Sequence, residues 1–189
     1  QMIIPDGVAL IGDRAFSECS GLTQVNIPDS VTSIGEKAFS GCRGLTQMTI
    51  PDSVTIIGED AFWGCSNLTN VTIPKVVLER GIKKIFPDSL LNTVSISKGA
   101  TEIGITAFFR CSSLTSVTIP DSVISIRDRA FYGCSSLTSV TISEFVLERG
   151  IKKTFPNNQF FDPGFSRLLL LDMSTKPGMM LEPLVLASS

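Results

Sequence analysis

The residues best equipped for chemistry in this chain are five cysteines, Cys19, Cys42, Cys65, Cys111 and Cys134, whose gaps are 23, 23, 46 and 23 residues. None shows the C-x-x-C spacing of a zinc or redox site. The chain has no histidine, which removes the commonest general base, the commonest transition-metal ligand and the usual catalytic triads. It also lacks a G-x-S-x-G elbow, a phosphate-binding loop and a dinucleotide fingerprint. Paired carboxylates occur as one periodic set, Asp6, Asp29, Asp52 and Asp121, each following a proline. Stacked, the first three could hold a hard cation such as calcium. Lys75 and Lys98 interrupt the series, so solvated turn residues are expected, and no cofactor.

Two further motifs invite a functional reading. Asn67-Leu68-Thr69 and Asn70-Val71-Thr72 match the glycosylation pattern, a weak signal for any single tripeptide. The octapeptide VLERGIKK is written twice, at Val77–Lys84 and Val146–Lys153. Arg80, Lys83 and Lys84 would share a face with Arg149, Lys152 and Lys153 if the two copies stacked, although charge runs are usually solvated surface.

These motifs belong to a longer rhythm. The cysteine gaps are all multiples of 23, and isoleucine keeps the same beat at Ile4, Ile27, Ile50, Ile73, Ile96, Ile119 and Ile142. Leucine follows at Leu22, Leu45, Leu68, Leu91, Leu114 and Leu137, and phenylalanine at Phe16, Phe39, Phe62, Phe108 and Phe131. Seven units fit between Ile4 and Gly164. The two octapeptides lie 69 residues apart, three periods, so duplication of a three-unit block, Ile27–Ser95 copied to Ile96–Gly164, accounts for them without selection for a motif. Fixed-period self-similarity of this length is the mark of a solenoid.

One unit supplies the geometry. LTSVTI, Leu114–Ile119, has the form L-x-x-L-x-L of a leucine-rich-repeat strand. Alternation turns Val117 and Ile119 inward and Ser116 and Thr118 outward. Pro120 ends ladder pairing. In VISIRDRAFYGC, the spacing of Ile126, Ala130, Phe131 and Cys134 predicts one or two helical or 3-10 turns with an apolar inner side. Stacking at the parallel-strand spacing of ~4.8 Å turns each position into a column. The thiols are then expected to be reduced and packed, because parallel in-register side chains strain a disulfide dihedral.

The repeated text resembles the BspA-like leucine-rich repeats, with a consensus close to I-P-x-S-V-T-x-I-G-x-x-A-F-x-x-C-x-x-L-T-x-V-T from Ile4 to about Ser143. With the strand and turn pattern, the resemblance implies an α/β repeat fold. It would be a right-handed leucine-rich-repeat solenoid, with a parallel β-sheet on the concave face and short helical or 3-10 turns on the convex side. Units four and seven depart from the consensus, with Arg80 and Arg149 in place of the inner Ile, Lys84 and Lys153 in place of Ala, and Asp88 and Asn157 in place of Cys. In unit four Leu78, Ile82, Ile85 and Phe86 are expected to supply the inner side instead. The solenoid is expected to occupy 1–164 and a C-terminal cap or docking tail 165–189. Because the text begins in mid-strand at Met2, further repeats, a cap or a partner are expected over that edge.

A binding surface remains on the outward sheet face. Its columns are Gln24, Gln47, Asn70, Thr93, Ser116, Ser139 and Asn26, Thr49, Thr72, Ser95, Thr118, Thr141, all polar and uncharged. The expected function is a non-enzymatic protein-protein interaction module of adhesion or scaffold type. The alternative is an accessory subunit of a larger assembly, docked through the open N-terminal edge and the apolar tail. Ice binding fits poorly, since the Thr rows are mixed with Ser, Asn and Gln. A net charge of −2 argues against nucleic acid, and no apolar run is long enough for membrane insertion by this segment. The family resemblance implies secreted or cell-surface proteins that bind host or matrix partners.

Overall fold

The computed structural model describes residues 2–142. The seventh unit, the second octapeptide and the segment 165–189 lie outside the described residues. Within them, successive 23-residue units are coils of a parallel β-solenoid, and the register shows the period directly. Strands β1 (Met2–Ile3), β3 (Val25–Asn26), β5 (Gln47–Thr49), β7 (Asn70–Ile73), β8 (Thr93–Ile96), β10 (Ser116–Thr118) and β12 (Ser139–Thr141) form one parallel sheet in that order. Gln47 pairs with Asn70, Asn70 with Thr93, Thr93 with Ser116 and Ser116 with Ser139. A slip of one residue would turn the apolar column out to solvent, so burial itself enforces this register.

A second, narrower strand follows in every described coil except the fourth. β2 (Leu10–Ile11), β4 (Ser33–Ile34) and β6 (Ile56–Ile57) form one parallel sheet, and β9 (Glu102–Ile103) with β11 (Ser125–Ile126) another. The glycines after β4 and β6 stand where the backbone of the preceding coil passes close by. A Cβ on Gly58 would lie 2.4 Å from the Glu36 nitrogen and one on Gly35 2.6 Å from the Asp13 nitrogen. Only a residue without a side chain fits there.

Turns do form the convex side, but in the regular coils they are β-turns rather than helical ones. The amides of Arg14, Phe16 and Glu18 donate to the carbonyls of Glu36, Ala38 and Ser40 in the next coil, at 2.9, 2.8 and 2.7 Å. Those between them, Ala15, Ser17 and Cys19, close turns on Gly12, Arg14 and Phe16 at 3.2, 3.0 and 3.2 Å. Left-handed residues make this alternation possible. Arg14, Lys37, Asp60, Thr106 and Arg129 share one such column with φ of 53–56°, and Glu18, Gly41, Gly64, Arg110 and Gly133 form a second. A positive φ stops a 3-10 turn from propagating and aims the next N–H along the solenoid axis. The apolar spacing was legible, with Ile126, Ala130, Phe131 and Cys134 all buried.

The core is a set of columns. Phe39 is fully buried and its ring stacks 5.2 Å from Phe16 and 5.4 Å from Phe62. Consensus hydroxyls fasten coil to coil from outside, the Oγ of Ser30, Ser53 and Ser122 donating to the carbonyls of Val8, Val31 and Ala100 at 2.9, 2.7 and 2.7 Å.

Coil four breaks the pattern on the convex side only. Helices α1 (Lys75–Arg80) and α2 (Ile82–Ile85) replace the narrow strand and the first convex turn. Pro74 stands at the N-cap, Lys75 and Glu79 pair at 3.3 Å, and Gly81 with φ 89° lets the chain leave α1. Pro87 follows Phe86 and disfavours further helix. As expected, Leu78, Ile82, Ile85 and Phe86 are buried, with Val77 beside them. Phe86 stands one residue off the beat, yet its ring lies 4.9 Å from Phe62 and extends the aromatic column.

Because α1 takes the place of a strand, β6 has no neighbour on that side. The Arg80 guanidinium donates to the Ile57 carbonyl instead. Asp88, at the Cys position, accepts from the Gly64 amide at 3.3 Å. The wide sheet runs through this coil without interruption, β7 pairing β8 from Asn70–Thr93 to Ile73–Ile96.

Candidate interaction surface

The wide sheet presents one face to solvent, and its side chains follow from the alternation within each strand. Met48, Val71, Val94 and Val117 point into the core and are buried. Their neighbours Gln47, Thr49, Asn70, Thr72, Thr93, Ser95, Ser116 and Thr118 point away, exposed or half-exposed. Asn26 pairs in register with Thr49, and Thr118 with Thr141. All twelve side chains expected on this surface, including Gln24 and Ser139, lie on it. The face is hollowed at its N-terminal half, where Gln24, Asn26, Gln47, Thr49, Asn70, Thr72, Thr93 and Ser95 line a groove of about 380 Å3.

The contrast with the turn hydroxyls is informative. Ser30, Ser53, Thr115 and Ser122 each spend their hydroxyl on a carbonyl of the neighbouring coil. Among the described residues, the twelve face side chains make no such bond, so their donors and acceptors are directed outward. No charged residue stands among them.

Other residues singled out from sequence have different places. Asp52 does not join a carboxylate cluster. Its two oxygens accept from the Ser97 hydroxyl and, at 3.0 Å, from the Gly99 amide, reaching across coil four to the turn of coil five. Among the described residues, no three His, Cys, Asp or Glu side chains gather as a metal-binding group. Asn67 donates from its amide nitrogen to the Arg43 carbonyl at 2.9 Å, and Asn70 lines the groove. In the first octapeptide Arg80 caps β6, while Lys83 and Lys84 stay exposed.

Four of the five thiols are buried and Cys19, in the first coil, is exposed. Cys42, Cys65 and Cys134 donate to the carbonyls of Phe16, Phe39 and Phe108 in the preceding coil, at 3.1, 3.3 and 3.1 Å. Burial pushes the Cys42 thiol up to about 11 and the Cys65 thiol up to about 12, because a thiolate loses its hydration there. These two side chains act as small packing groups.

Sequence reasoning missed Asp52 and Arg80 as braces, and a convex aromatic strip. Trp63, Phe109 and Tyr132 share one position of the period, Phe109 and Tyr132 stack at 5.6 Å, and the Arg110 guanidinium lies 5.2 Å from the Phe109 ring centre. The recurrence at 63, 109 and 132 was the available signal.

A parallel sheet built by 23-residue coils, each carrying the L-x-x-L-x-L strand, defines a leucine-rich-repeat solenoid. A model of the BspA type leucine rich repeat region matches in six copies, over residues 1–82 and 80–161, and the chain belongs to that family. Among solved structures, the T. pallidum leucine-rich repeat protein is similar, with 31% identity and a TM-score of 0.50 over 74% of this chain and 67% of its own. A leucine-rich repeat protein from Eubacterium ventriosum has 24% identity and a TM-score of 0.52, covering 76% of this chain and 39% of its own. A comparison with curated proteins gave no match. No helix of the described residues is long and apolar enough to cross a membrane.

Proposed function

We propose that this protein is a non-enzymatic interaction module of adhesion or scaffold type that binds a protein partner through the outward face of its wide sheet. One observation carries the reading: among the described residues, the polar side chains of that face make no internal hydrogen bond, while chemically identical hydroxyls in the turns are consumed in fastening coils. A row of unspent donors and acceptors on a rigid sheet can engage an extended partner without first breaking its own contacts. Family membership supports the reading, since repeat solenoids present extended binding surfaces. The absence of charge on the face predicts association with little electrostatic steering and weak salt dependence.

The test is a binding panel. The chain is immobilised and probed by interferometry with purified matrix and cell-surface proteins. Two variants are compared, Asn70→Lys with Thr72→Lys on the groove, and Arg129→Glu on the convex side. A partner whose binding is lost in the first variant, kept in the second and little changed by added salt supports the reading. A partner that ignores the groove variant and is lost with the convex one would replace this face by the other.

A further inference from the structure

We propose that the junction between coils three and four is a built-in seam, at which coils one to three unfold as one cooperative unit while coils four to six keep their fold. At the regular junctions the convex side is closed by backbone. Lys37, Phe39 and Gly41 of coil two donate to the Glu59, Ala61 and Trp63 carbonyls of coil three at 3.0, 2.8 and 2.8 Å. Thr106, Phe108 and Arg110 of coil five donate to Asp128, Ala130 and Tyr132 of coil six at 3.1, 2.7 and 2.7 Å. In coil three the ladder should continue through Asp60 and Phe62. Among the described residues neither amide finds an acceptor in coil four, although Phe62 is buried, and an unpaired buried N–H weakens the junction.

Side chains fasten this junction where backbone does elsewhere. The Arg80 guanidinium reaches the Ile57 carbonyl, the Asp88 carboxylate accepts from Gly64 at 3.3 Å, and Asp52 reaches over coil four to Ser97 and Gly99. All three are exposed, so water competes for their bonds. The wide sheet is one register pair longer here than at the junctions beside it. That pair does not replace the three convex bonds and the narrow-sheet pairing that are missing.

Coil four sides with the coil beyond it. Helix α1 packs on β9, a Cβ on Gly104 would stand 3.0 Å from the Leu78 carbonyl oxygen, and the Ile82 amide donates to the Ala107 carbonyl at 2.9 Å. Apolar packing does cross the seam and holds it closed at rest. The Phe62 and Phe86 rings there are inclined at 31°, whereas Phe39–Phe62 and Phe108–Phe131 are inclined at 2° and 4°. In a stack whose stability is a sum of repeat and nearest-neighbour contributions, cooperativity divides at the weakest junction. The groove is divided with it: Gln24 to Thr72 belong to the unit that opens, Thr93 and Ser95 to the unit that stays. A partner seated across both would hold the seam shut; this consequence rests on the binding reading above, and the seam itself does not.

The test is hydrogen exchange of the full chain in increasing, sub-denaturing urea, read by mass spectrometry on peptic peptides. Expected is one common opening for coils one to three, with protection at least about tenfold higher in coils five and six. Two fully buried valines probe the coupling. Val123→Ala in coil six is expected to speed exchange of coils five and six about tenfold or more and leave coils one to three unchanged, whereas Val31→Ala in coil two speeds coils one to three by a similar factor. The proposal is overturned by a single opening shared by all coils, by protection that climbs evenly from coil one without a step at coil four, or by faster exchange of coils one to three in Val123→Ala. No partner enters the measurement, so a failure of the seam is distinct from a failure of the binding panel.

Discussion

The guanidinium of Arg80 donates to the main-chain carbonyl of Ile57, one coil earlier and 23 residues back. In the preceding coils that bond is made by backbone, Gly58 N–H to Ile34 O at 2.7 Å and Gly35 N–H to Ile11 O at 2.8 Å. Coil four is helical there and has no strand amide to offer, so a side chain takes its place. The first octapeptide is thus a splice that ends one narrow sheet without orphaning its last carbonyl.

Removing that donor has a definite cost. Arg80→Ala is expected to lower stability by about 1–2 kcal/mol, the range for a charged donor on a carbonyl that water can partly reach. Lys84→Ala, four residues on and exposed, should change it by less than about 0.5 kcal/mol. Urea denaturation followed by circular dichroism compares the two. Equal effects would show that the Arg80 contact carries no energy.

The aromatic column predicts a larger loss. Phe39 is sealed between Phe16 and Phe62, and Phe39→Ala is expected to destabilise by about 3–5 kcal/mol through the cavity it leaves. Phe16, in the first coil and only half-buried, should cost less than half of that when truncated. Urea midpoints of the two variants give the ratio.

One glycine column offers an internal control. A Cβ on Gly58 would meet the Glu36 nitrogen at 2.4 Å and the Gly35 carbonyl carbon at 2.5 Å, whereas one on Gly12 would meet nothing within 4 Å. Gly58→Ala is therefore expected to cost about 2–3 kcal/mol as two backbones are forced apart. Gly12→Ala should be neutral, or stabilising by up to about 1 kcal/mol through a stiffer unfolded chain. Thermal melts of both variants decide it.

The buried thiols make a prediction about alkali. Their ordinary value is 9.0, and the fold raises Cys42 to about 11 and Cys65 to about 12. Above pH 9 the unfolded chain loses these protons first, so stability is whole below that point. It then falls toward pH 11–12, by up to about 1.4 kcal/mol per pH unit for each thiol. Urea midpoints at about pH 8 and about pH 10.5 should separate for the natural protein and separate less for Cys65→Ala. An unchanged gap in Cys65→Ala would exonerate that thiol.

Legibility differed by region. Phe39, Cys42, Leu45 and Ile50 stood in their columns on the page because each coil repeats the environment of the last, so one periodic position means one burial state. The sheet face was equally legible, since Thr49 and Thr72 alternate with buried Met48 and Val71 in a period of two. The left-handed turns at Lys37, Thr106 and Arg129 were not, because these residue types do not favour a positive φ and the conformation is imposed by bonding to the next coil. Phe86, off the beat by one, was placed on the inner side by its helical spacing.

The sequence by itself determined the coil length, the in-register parallel stacking, the inward columns and the uncharged outward face, because those depend on side-chain polarity repeated at a fixed interval. Only the tertiary structure decided that Asp52 spans coil four to Ser97 and Gly99, that Arg80 closes β6, and that the convex amide ladder stops at coil three. Each of those depends on distances between neighbouring coils where one is irregular, and a linear period cannot encode what happens at its own interruption.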